Sequence, residues 1–310
     1  AYTLQVAEGG ARVAATARAG LRYGAITLLH LAIEAAGKGD GIPAVEIVDW
    51  PSLPVRGITI PLPTDRWGHP NDAPVDPAFW ERFLLRTCLE QKLNTVVILV
   101  RQGMKYELHP EIDGPAAWPQ ETVRGIVETL KAHDITPIPL LDSLGHANWL
   151  VIPEKQLRED GDTHTLCTRH PDSRFLLDCY DEIIDVFSPT HFHMGLDEIR
   201  WVTGNTPEEN RCKLCAGIDK REIFLEQVQV LCDHLRARGI VPMMWGDMLL
   251  KGHNGGPPFH LDDTLEQLPR EIVITNWSIT LDQLSNHLFH RLGFPVVQSN
   301  STGVSVAQAP

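Results

Sequence analysis

The chain has 310 residues, of which 43% are apolar and 22% charged, the ordinary composition of a globular protein. Its 27 Lys and Arg against 40 Asp and Glu give a net charge of −13. An acidic chain without a basic run argues against nucleic-acid binding, which needs clustered Lys and Arg. No apolar stretch reaches the about 18–20 residues that cross a bilayer, so no membrane span is predicted.

The first 50 residues predict a small α/β piece. Its elements are strands at Tyr2–Val6 and Ala11–Ala15, a helix at about Leu21–Ala36 and an extended segment at Pro43–Val48. The proline-rich stretch Trp50–Pro54 predicts a boundary, so residues 1–50 are expected to be the C-terminal part of a small N-terminal domain. The chain starts at Ala1 without a signal-peptide pattern. We expect it to be a piece of a longer protein and predict no compartment.

From residue 51 onward, strand-like runs alternate with amphipathic segments. The predicted strands are Gly57–Leu62, Thr95–Val100, Thr136–Leu141, His191–Leu196, Val241–Met248, Ile272–Trp277 and Pro295–Gln298. The predicted helices are Phe79–Gln91, Glu121–His133, Ser173–Phe187, Arg221–Arg238 and Leu281–Leu292, with a weaker pattern at Leu261–Leu268. Runs such as Val96–Val100 are almost wholly apolar, as in parallel strands covered on both faces.

This alternation predicts an α/β fold, a (β/α)8 TIM barrel. A doubly wound sheet is the second possibility, but no G-x-G-x-x-G follows the first strand. Seven strands are visible, and no eighth precedes Pro310. Because an open barrel leaves an unpaired edge, we expect residues 51–310 to be a barrel lacking its last strand–helix unit.

Six cysteines are too few for a disulfide scaffold. Cys88, Cys179 and Cys232 lie in helix-like segments beside apolar residues and are expected to be buried small hydrophobes. Cys212 and Cys215 form a C-x-x-C in a polar loop. A structural zinc needs two more ligands, and the sequence offers no second such pair. A local disulfide or two free thiols are therefore favoured, and no metal or cofactor is predicted.

Polar residues close several of the predicted strands, where barrel enzymes place their chemistry. They are Asp142, Asp197 with Glu198, Asp247 and Trp277. Neighbouring residues on a strand point to opposite faces, so Asp197 and Glu198 can share a site only where the chain leaves the sheet. Such a pair can be a general acid with an orienting group, a metal site or a solvated helix start.

Several motifs together resemble glycoside hydrolase family 20, the β-N-acetylhexosaminidases. Residues His193–Glu198, H-M-G-L-D-E, are similar to the H-x-G-G-D-E of that family's fourth barrel strand. Leu141–His146 is similar to its I-D-M-P-G-H, and Arg56-Gly57 to the R-G that opens its first strand. The family's lead-in is recognisable in Tyr2–Val6 and Gly20–Leu31. The resemblance covers nearly the whole chain.

The resemblance implies a role for several residues. Glu198 matches the general acid/base, and Asp197 the group that orients the substrate's 2-acetamido group. Arg56 matches an arginine that binds sugar hydroxyls. The other implied substrate-binding residues are His146, His193, Trp245 and Trp277, and Asp142 and Asp247 are further candidates because they close strands. For the histidines a hydrogen-bonded structural role stays open, and for the tryptophans core packing, although an indole at a strand end can stack on a sugar.

The chain also departs from the family pattern. Leu196 replaces the motif's second glycine, Pro61 stands where strand one has an aspartate, and Val97–Arg101 lack the H-x-x-D of strand two. The strand-seven tyrosine and strand-eight W-x-E are not found. The polar loop after strand two, including Glu111, is a candidate source of the missing contacts or a plain surface loop.

The resemblance implies an exo-acting hydrolase that removes terminal β-linked N-acetylhexosamine with retention, using the substrate's acetamide as nucleophile. The expected partner is a glycan or glycoconjugate. Two other hypotheses remain: a non-catalytic glycan-binding barrel, and a metal-dependent hydrolase using His146, His193 and Asp197. A barrel fold alone does not decide among them.

Overall fold

The computed structural model describes residues 1–62, 75–159, 162–199, 212–277 and 282–299. The strands are β1 (Tyr2–Ala7), β2 (Gly10–Ala15), β3 (Val45–Asp49), β4 (Gly57–Pro61), β5 (Thr95–Leu99), β6 (Thr136–Leu140), β7 (His191–His193), β8 (Val241–Trp245), β9 (Val273–Asn276) and β10 (Val296–Gln298). The helices are α1 (Arg18–Lys38), α2 (Pro77–Glu90), α3 (Gln120–Ala132), α4 (Asn148–Val151), α5 (Phe175–Phe187), α6 (Lys220–Arg236) and α7 (Asp282–Arg291).

The N-terminal elements form the predicted small α/β piece. Its antiparallel sheet has the order β2-β1-β3, with Leu4 opposite Val13 on one side and Ile47 on the other. A small core forms around Tyr2, Leu4 and Tyr23, the last contributed by α1. The alternating burial of β1 follows from its period of two, which sends every second side chain to the covered face.

The chain divides into two compact units. The first contains residues 1–58, 78–96 and 129–136, and the second contains residues 59–77, 97–128 and 137–310. The first unit thus includes segments from both sides of the predicted boundary between residues 50 and 51. That boundary stays a prediction.

The remaining strands form one sheet in the order β10-β9-β8-β7-β6-β5-β4. All seven predicted strands are present, and the parallel pairs β6–β7, β7–β8, β8–β9 and β9–β10 are in register. The predicted fold, a (β/α)8 barrel with seven visible strands, is confirmed. The segment Leu261–Gln267 is a 3-10 helix, where the weaker pattern had suggested an α-helix. The described part of the chain contains no helix long and apolar enough to cross a membrane.

Strand β7 ends earlier than predicted, at His193, because the backbone turns sharply after it. Gly195 and Leu196 have φ of +72° and +71°, in the left-handed region that favours glycine. A Cβ at Gly195 would lie 2.9 Å from the Cα of Asp142, so the close approach also requires glycine there. The turn lets the two carboxyls that follow leave the sheet on the same side.

Candidate active site

Asp197 and Glu198 meet at one histidine just beyond the end of β7. The Nε2 atom of His146 lies 3.5 Å from Oδ2 of Asp197 and 3.4 Å from Oε2 of Glu198. The Asp197 side chain is 18% exposed and that of Glu198 is 31% exposed, whereas His146 is nearly buried. The two carboxyls therefore share a site, as expected for a pair beyond a strand end. The imidazole of His146 is the group that contacts both carboxyls.

The backbone around this pair is strained. Leu196, Glu198 and His146 all have positive φ, at +71°, +41° and +51°. Non-glycine residues in this region cost of order 1–3 kcal/mol each and persist only where the surroundings hold them. Part of that support is close packing, since a Cβ on Gly145 would overlap the carbonyl oxygen of Asp197. Such strain is concentrated at functional sites in proteins.

A second histidine supports the first, and the sequence did not single it out. Nε2 of His164 lies 3.1 Å from Nδ1 of His146, and Nδ1 of His164 accepts the backbone N–H of His146 at 3.3 Å. This contact orients the His146 ring toward the carboxyls, in the way that a partner on one ring nitrogen sets the role of the other. His164 lies in a loop without regular spacing to His146, so no sequence pattern predicts the pairing.

Asp142 and Asp247 are buried close to the pair. Asp142 forms an ion pair with Arg101, with 2.5 Å between Oδ2 and Nη2. Oδ2 of Asp247 accepts the backbone N–H of Glu198 at 3.1 Å and the amide of Asn254 at 2.8 Å. Asp142 is thus occupied by Arg101, and Asp247 holds the segment after β7 through the backbone of Glu198. A sugar contact of Asp142 or Asp247 stays a prediction.

Burial raises the pKa of Asp197 well above its ordinary value, and the nearby carboxyls of Asp142 and Asp247 raise the pKa further. Its Oδ1 atom is buried without a hydrogen-bond partner. A hydrogen-bond donor or a positive charge placed beside such a carboxyl strongly stabilises its ionised form.

His193 is fully buried below the pair. Its Nδ1 accepts the backbone N–H of Gly195 at 3.1 Å, and burial lowers its pKa to about 3. The ring is therefore neutral near pH 7 and helps to form the turn, as in the structural role left open for it. Trp245 at the end of β8 packs against the ring, with 4.5 Å between ring centroids.

Trp277 follows β9 and is partly exposed. Its ring stands edge-on to His253 at 4.3 Å between centroids, and its indole N–H faces the carboxyl of Asp247, whose pKa is raised by burial. The indole is therefore fixed between buried polar groups and solvent. Both tryptophans lie at carboxyl ends of strands, where barrel sites form.

Replacing Trp277 by Ala is expected to raise KM and lower kcat together, for a loss in kcat/KM of about 5–30-fold, which corresponds to about 1–2 kcal/mol. The resemblance implies that this indole stacks on the sugar ring, and the substitution removes that stacking surface. Trp277→Phe keeps a stacking surface and should retain most of the activity. Trp50→Ala, at an indole 62% exposed, serves as the control. Unchanged kinetics with a lowered melting temperature in Trp277→Ala would assign the indole to packing alone.

Arg56 lies at the other end of its strand, immediately before β4 begins. Its guanidinium donates to the carbonyl oxygens of Lys92 and Leu53 and to the hydroxyl of Tyr23, at 2.7–3.0 Å. Barrel chemistry lies at the carboxyl ends of strands, and a contact of Arg56 to sugar hydroxyls stays a prediction. Its contacts tie the start of β4 to the segments that carry Tyr23, Leu53 and Lys92.

Glu111 lies in the loop after β5. Its Oε1 is 3.3 Å from Nδ1 of His109, whose Nε2 is 3.1 Å from Asp178 on α5. The same loop is held by Glu182, which accepts the backbone N–H groups of Glu107 and Leu108. These contacts fit the surface loop that was one of the two expectations, and a substrate contact of Glu111 stays a prediction.

The metal-dependent alternative is not supported by this geometry. His193 is committed to the Gly195 turn, and in the described residues the one group suited to hold a metal does not include His146, His193 or Asp197. It consists of Glu159, Cys167, Cys212 and Cys215.

A comparison with protein families decides where this chain belongs. The model for the catalytic domain of glycosyl hydrolase family 20 matches residues 92–305. The chain belongs to glycosyl hydrolase family 20. The model for domain 2 of the same family matches residues 1–50. The resemblance carried by His193–Glu198 and Leu141–His146 is thereby confirmed.

Two curated relatives match part of the chain. A lacto-N-biosidase of Bifidobacterium bifidum is 27% identical over 218 residues, 64% of this chain and 18% of its own length. A beta-hexosaminidase of Akkermansia muciniphila is 25% identical over 257 residues, 69% of this chain and 47% of its own length. The chain thus spans less than half the length of either relative.

Solved structures of this family share the fold. A beta-N-acetylhexosaminidase superposes with a TM-score of 0.74 at 21% identity, covering 97% of this chain and 66% of the other. A chitobiase of Flavobacterium johnsoniae gives 0.73 at 21% identity, covering 96% and 46%. At these identities the likeness concerns the fold.

Proposed function

We propose that this chain carries the active site of an exo-acting glycoside hydrolase that removes terminal β-linked N-acetylhexosamine. The observation that carries the proposal is the meeting of Asp197 and Glu198 at His146, just beyond β7, in a chain of glycosyl hydrolase family 20. Two similar proteins are named for related activities, a beta-hexosaminidase and a lacto-N-biosidase.

In this proposal Glu198 is the general acid and base. It is the more exposed carboxyl of the pair, and the Asp247 carboxylate anchors its backbone N–H. A proton donor must reach the glycosidic oxygen while its own backbone stays fixed. Glu198 meets both conditions, because its side chain reaches solvent and its backbone N–H is bound by the Asp247 carboxylate.

Asp197 orients the substrate's acetamide, which acts as the nucleophile. The acetamide oxygen attacks C1 while Glu198 gives its proton to the leaving oxygen, which departs with the electrons of the C1–O bond. Asp197 accepts the amide N–H and stabilises the resulting oxazolinium ion. Water then adds at C1, Glu198 takes its proton, the ring opens and configuration is retained. The carboxyls that raise the pKa of Asp197 make a positive charge beside it favourable.

Trp245 and Trp277 are proposed as walls of the sugar pocket. Trp245 ends β8 and Trp277 follows β9, the next two strands of the sheet after β7, and each indole is partly exposed. A partly exposed indole offers an apolar face to the C–H groups of a sugar while the rest of it stays packed.

A conventional carboxylate nucleophile is the competing mechanism. It needs a second free carboxyl about 5–5.5 Å from the acid. Asp142 and Asp247 are both buried and already hold Arg101 and the Glu198 backbone, which argues against either in that role.

The experiment is a panel of aryl β-glycosides with and without the 2-acetamido group, tested on the full-length protein. Hydrolysis confined to the acetamido substrates is expected. Binding of these sugars without any turnover would instead identify a non-catalytic glycan-binding barrel. Equal turnover of both groups would contradict the proposed substrate class.

A further inference from the structure

Four buried side chains from separate parts of the chain converge beside the active site. They belong to Glu159, Cys167, Cys212 and Cys215, and their sulfur and carboxylate atoms all lie within 4.8 Å of one another. Sγ of Cys167 is 3.2 Å from Sγ of Cys212 and 3.6 Å from Sγ of Cys215. The sequence pattern showed only the C-x-x-C of Cys212 and Cys215. The fold brings Glu159 and Cys167 to it, which completes a set of four possible metal ligands.

The backbone holds these groups in two short, well-bonded segments. Arg158 and Leu166 form an isolated antiparallel bridge, and next to it Glu159 N–H donates to Thr165 O at 3.1 Å and Cys167 N–H to Leu157 O at 2.7 Å. The C-x-x-C forms a tight turn, with Cys215 N–H donating to Cys212 O at 3.1 Å. Backbone N–H groups of Arg169 and Cys215 also face the sulfurs of Cys167 and Cys212.

The cluster contains a buried carboxylate that its neighbours satisfy only in part. Glu159 is fully buried, and its carboxylate accepts the backbone N–H of Cys212 at 2.7 Å and faces the thiol of Cys215, while Oε1 is buried without a hydrogen-bond partner. A buried carboxylate is costly unless it is paired or binds a metal. A disulfide would join two of the three sulfurs and leave the third thiol and the carboxylate as they are.

We propose that these four residues bind one Zn²⁺ ion through three thiolates and one carboxylate oxygen. Tetrahedral zinc with bonds of about 2.3 Å to sulfur separates its sulfurs by about 3.8 Å, close to the spacing found here. Sulfur-rich sites of four ligands favour zinc over the harder cations. Binding releases the thiol protons to solvent. Side chains fill all four coordination positions of this zinc, as in structural zinc sites, whereas catalytic zinc sites keep one position for water or substrate.

This zinc would fasten the loops that carry the active site. Glu159 and Cys167 flank the loop after β6 that contains His164, and Cys212 and Cys215 belong to the connection between β7 and α6. His164 contacts His146, which holds Asp197 and Glu198. The zinc site is thus a positioning element for the histidine pair and takes no part in the reaction.

The first test measures metal and redox state in the purified full chain. We expect about one zinc per chain by elemental mass spectrometry, and the same denatured mass with and without reductant, because no disulfide is present. Replacement by Co²⁺ should produce thiolate-to-cobalt absorption and the visible bands of tetrahedral cobalt. A metal-free protein, or a disulfide among these cysteines, would overturn the proposal.

The second test uses matched variants. Cys212→Ser and Glu159→Gln should each lower zinc content several-fold and lower the melting temperature, whereas Cys88→Ser, at a buried cysteine in α2, should keep its zinc. If a variant fails to fold, chelation of the wild type decides, since melting should fall with the chelator and recover with added zinc. Zinc content unchanged in both cluster variants contradicts the site, whatever the glycosidase assay shows.

Discussion

Glu198→Gln is expected to lower kcat by about 10²–10⁴-fold on substrates with poor leaving groups, the usual cost of removing a positioned acid. The amide keeps the size of the side chain and leaves the Asp247 contact to the Glu198 backbone intact. It has no proton to give to the leaving oxygen. Binding should therefore persist while turnover is lost.

The dependence on the leaving group identifies the role. The aryl group of an activated glycoside departs with little need for protonation. The substitution should therefore slow the first step, cleavage of the glycosidic bond, much less for such a substrate. Glu34→Gln, which changes an exposed carboxyl paired with Lys38 on α1, is the matched control and should leave kcat unchanged. Steady-state kinetics on both substrate classes measure the difference. An unchanged kcat in Glu198→Gln would remove Glu198 from the acid role.

Fluorination of the substrate's acetyl group is expected to lower kcat stepwise from mono- to di- to trifluoroacetyl. Fluorine withdraws electrons and weakens the carbonyl oxygen that attacks C1. An oxazoline-like cyclic analogue should bind much more tightly than the product sugar, because an active site favours the shape and charge of the intermediate. A 2-hydroxy glucoside, which has no internal nucleophile, should be a very poor substrate.

Asp197→Asn should both slow the reaction and flatten the fluorine trend. Asparagine cannot neutralise the oxazolinium charge, and the acetamide is then poorly oriented. Because burial and neighbouring carboxyls raise the pKa of Asp197, its removal also eases repulsion, so a stable, folded variant is expected. If the 2-hydroxy sugar is cleaved as fast as the acetamido sugar, the acetamide is not the nucleophile.

The order of elements could be predicted from the sequence because it depends on local periodicity. Apolar runs such as Val96–Val100 and helical spacing between them are properties of short segments. The motif His193–Glu198 likewise identified the family and the carboxyl pair, since both depend on neighbouring residues. Prediction was weakest at boundaries, as at β7, whose end depends on a backbone turn against Asp142.

Contacts between distant segments were decided by the tertiary structure alone. Folding buries Asp142 and Asp247 among partners from distant segments, and it brings the Arg56 guanidinium to the hydroxyl of Tyr23. No sequence spacing predicts the contact between His164 and His146. The same holds for the approach of Glu159 and Cys167 to the C-x-x-C. Local pattern determines which elements form, whereas burial and pairing of polar groups depend on which elements the fold brings together.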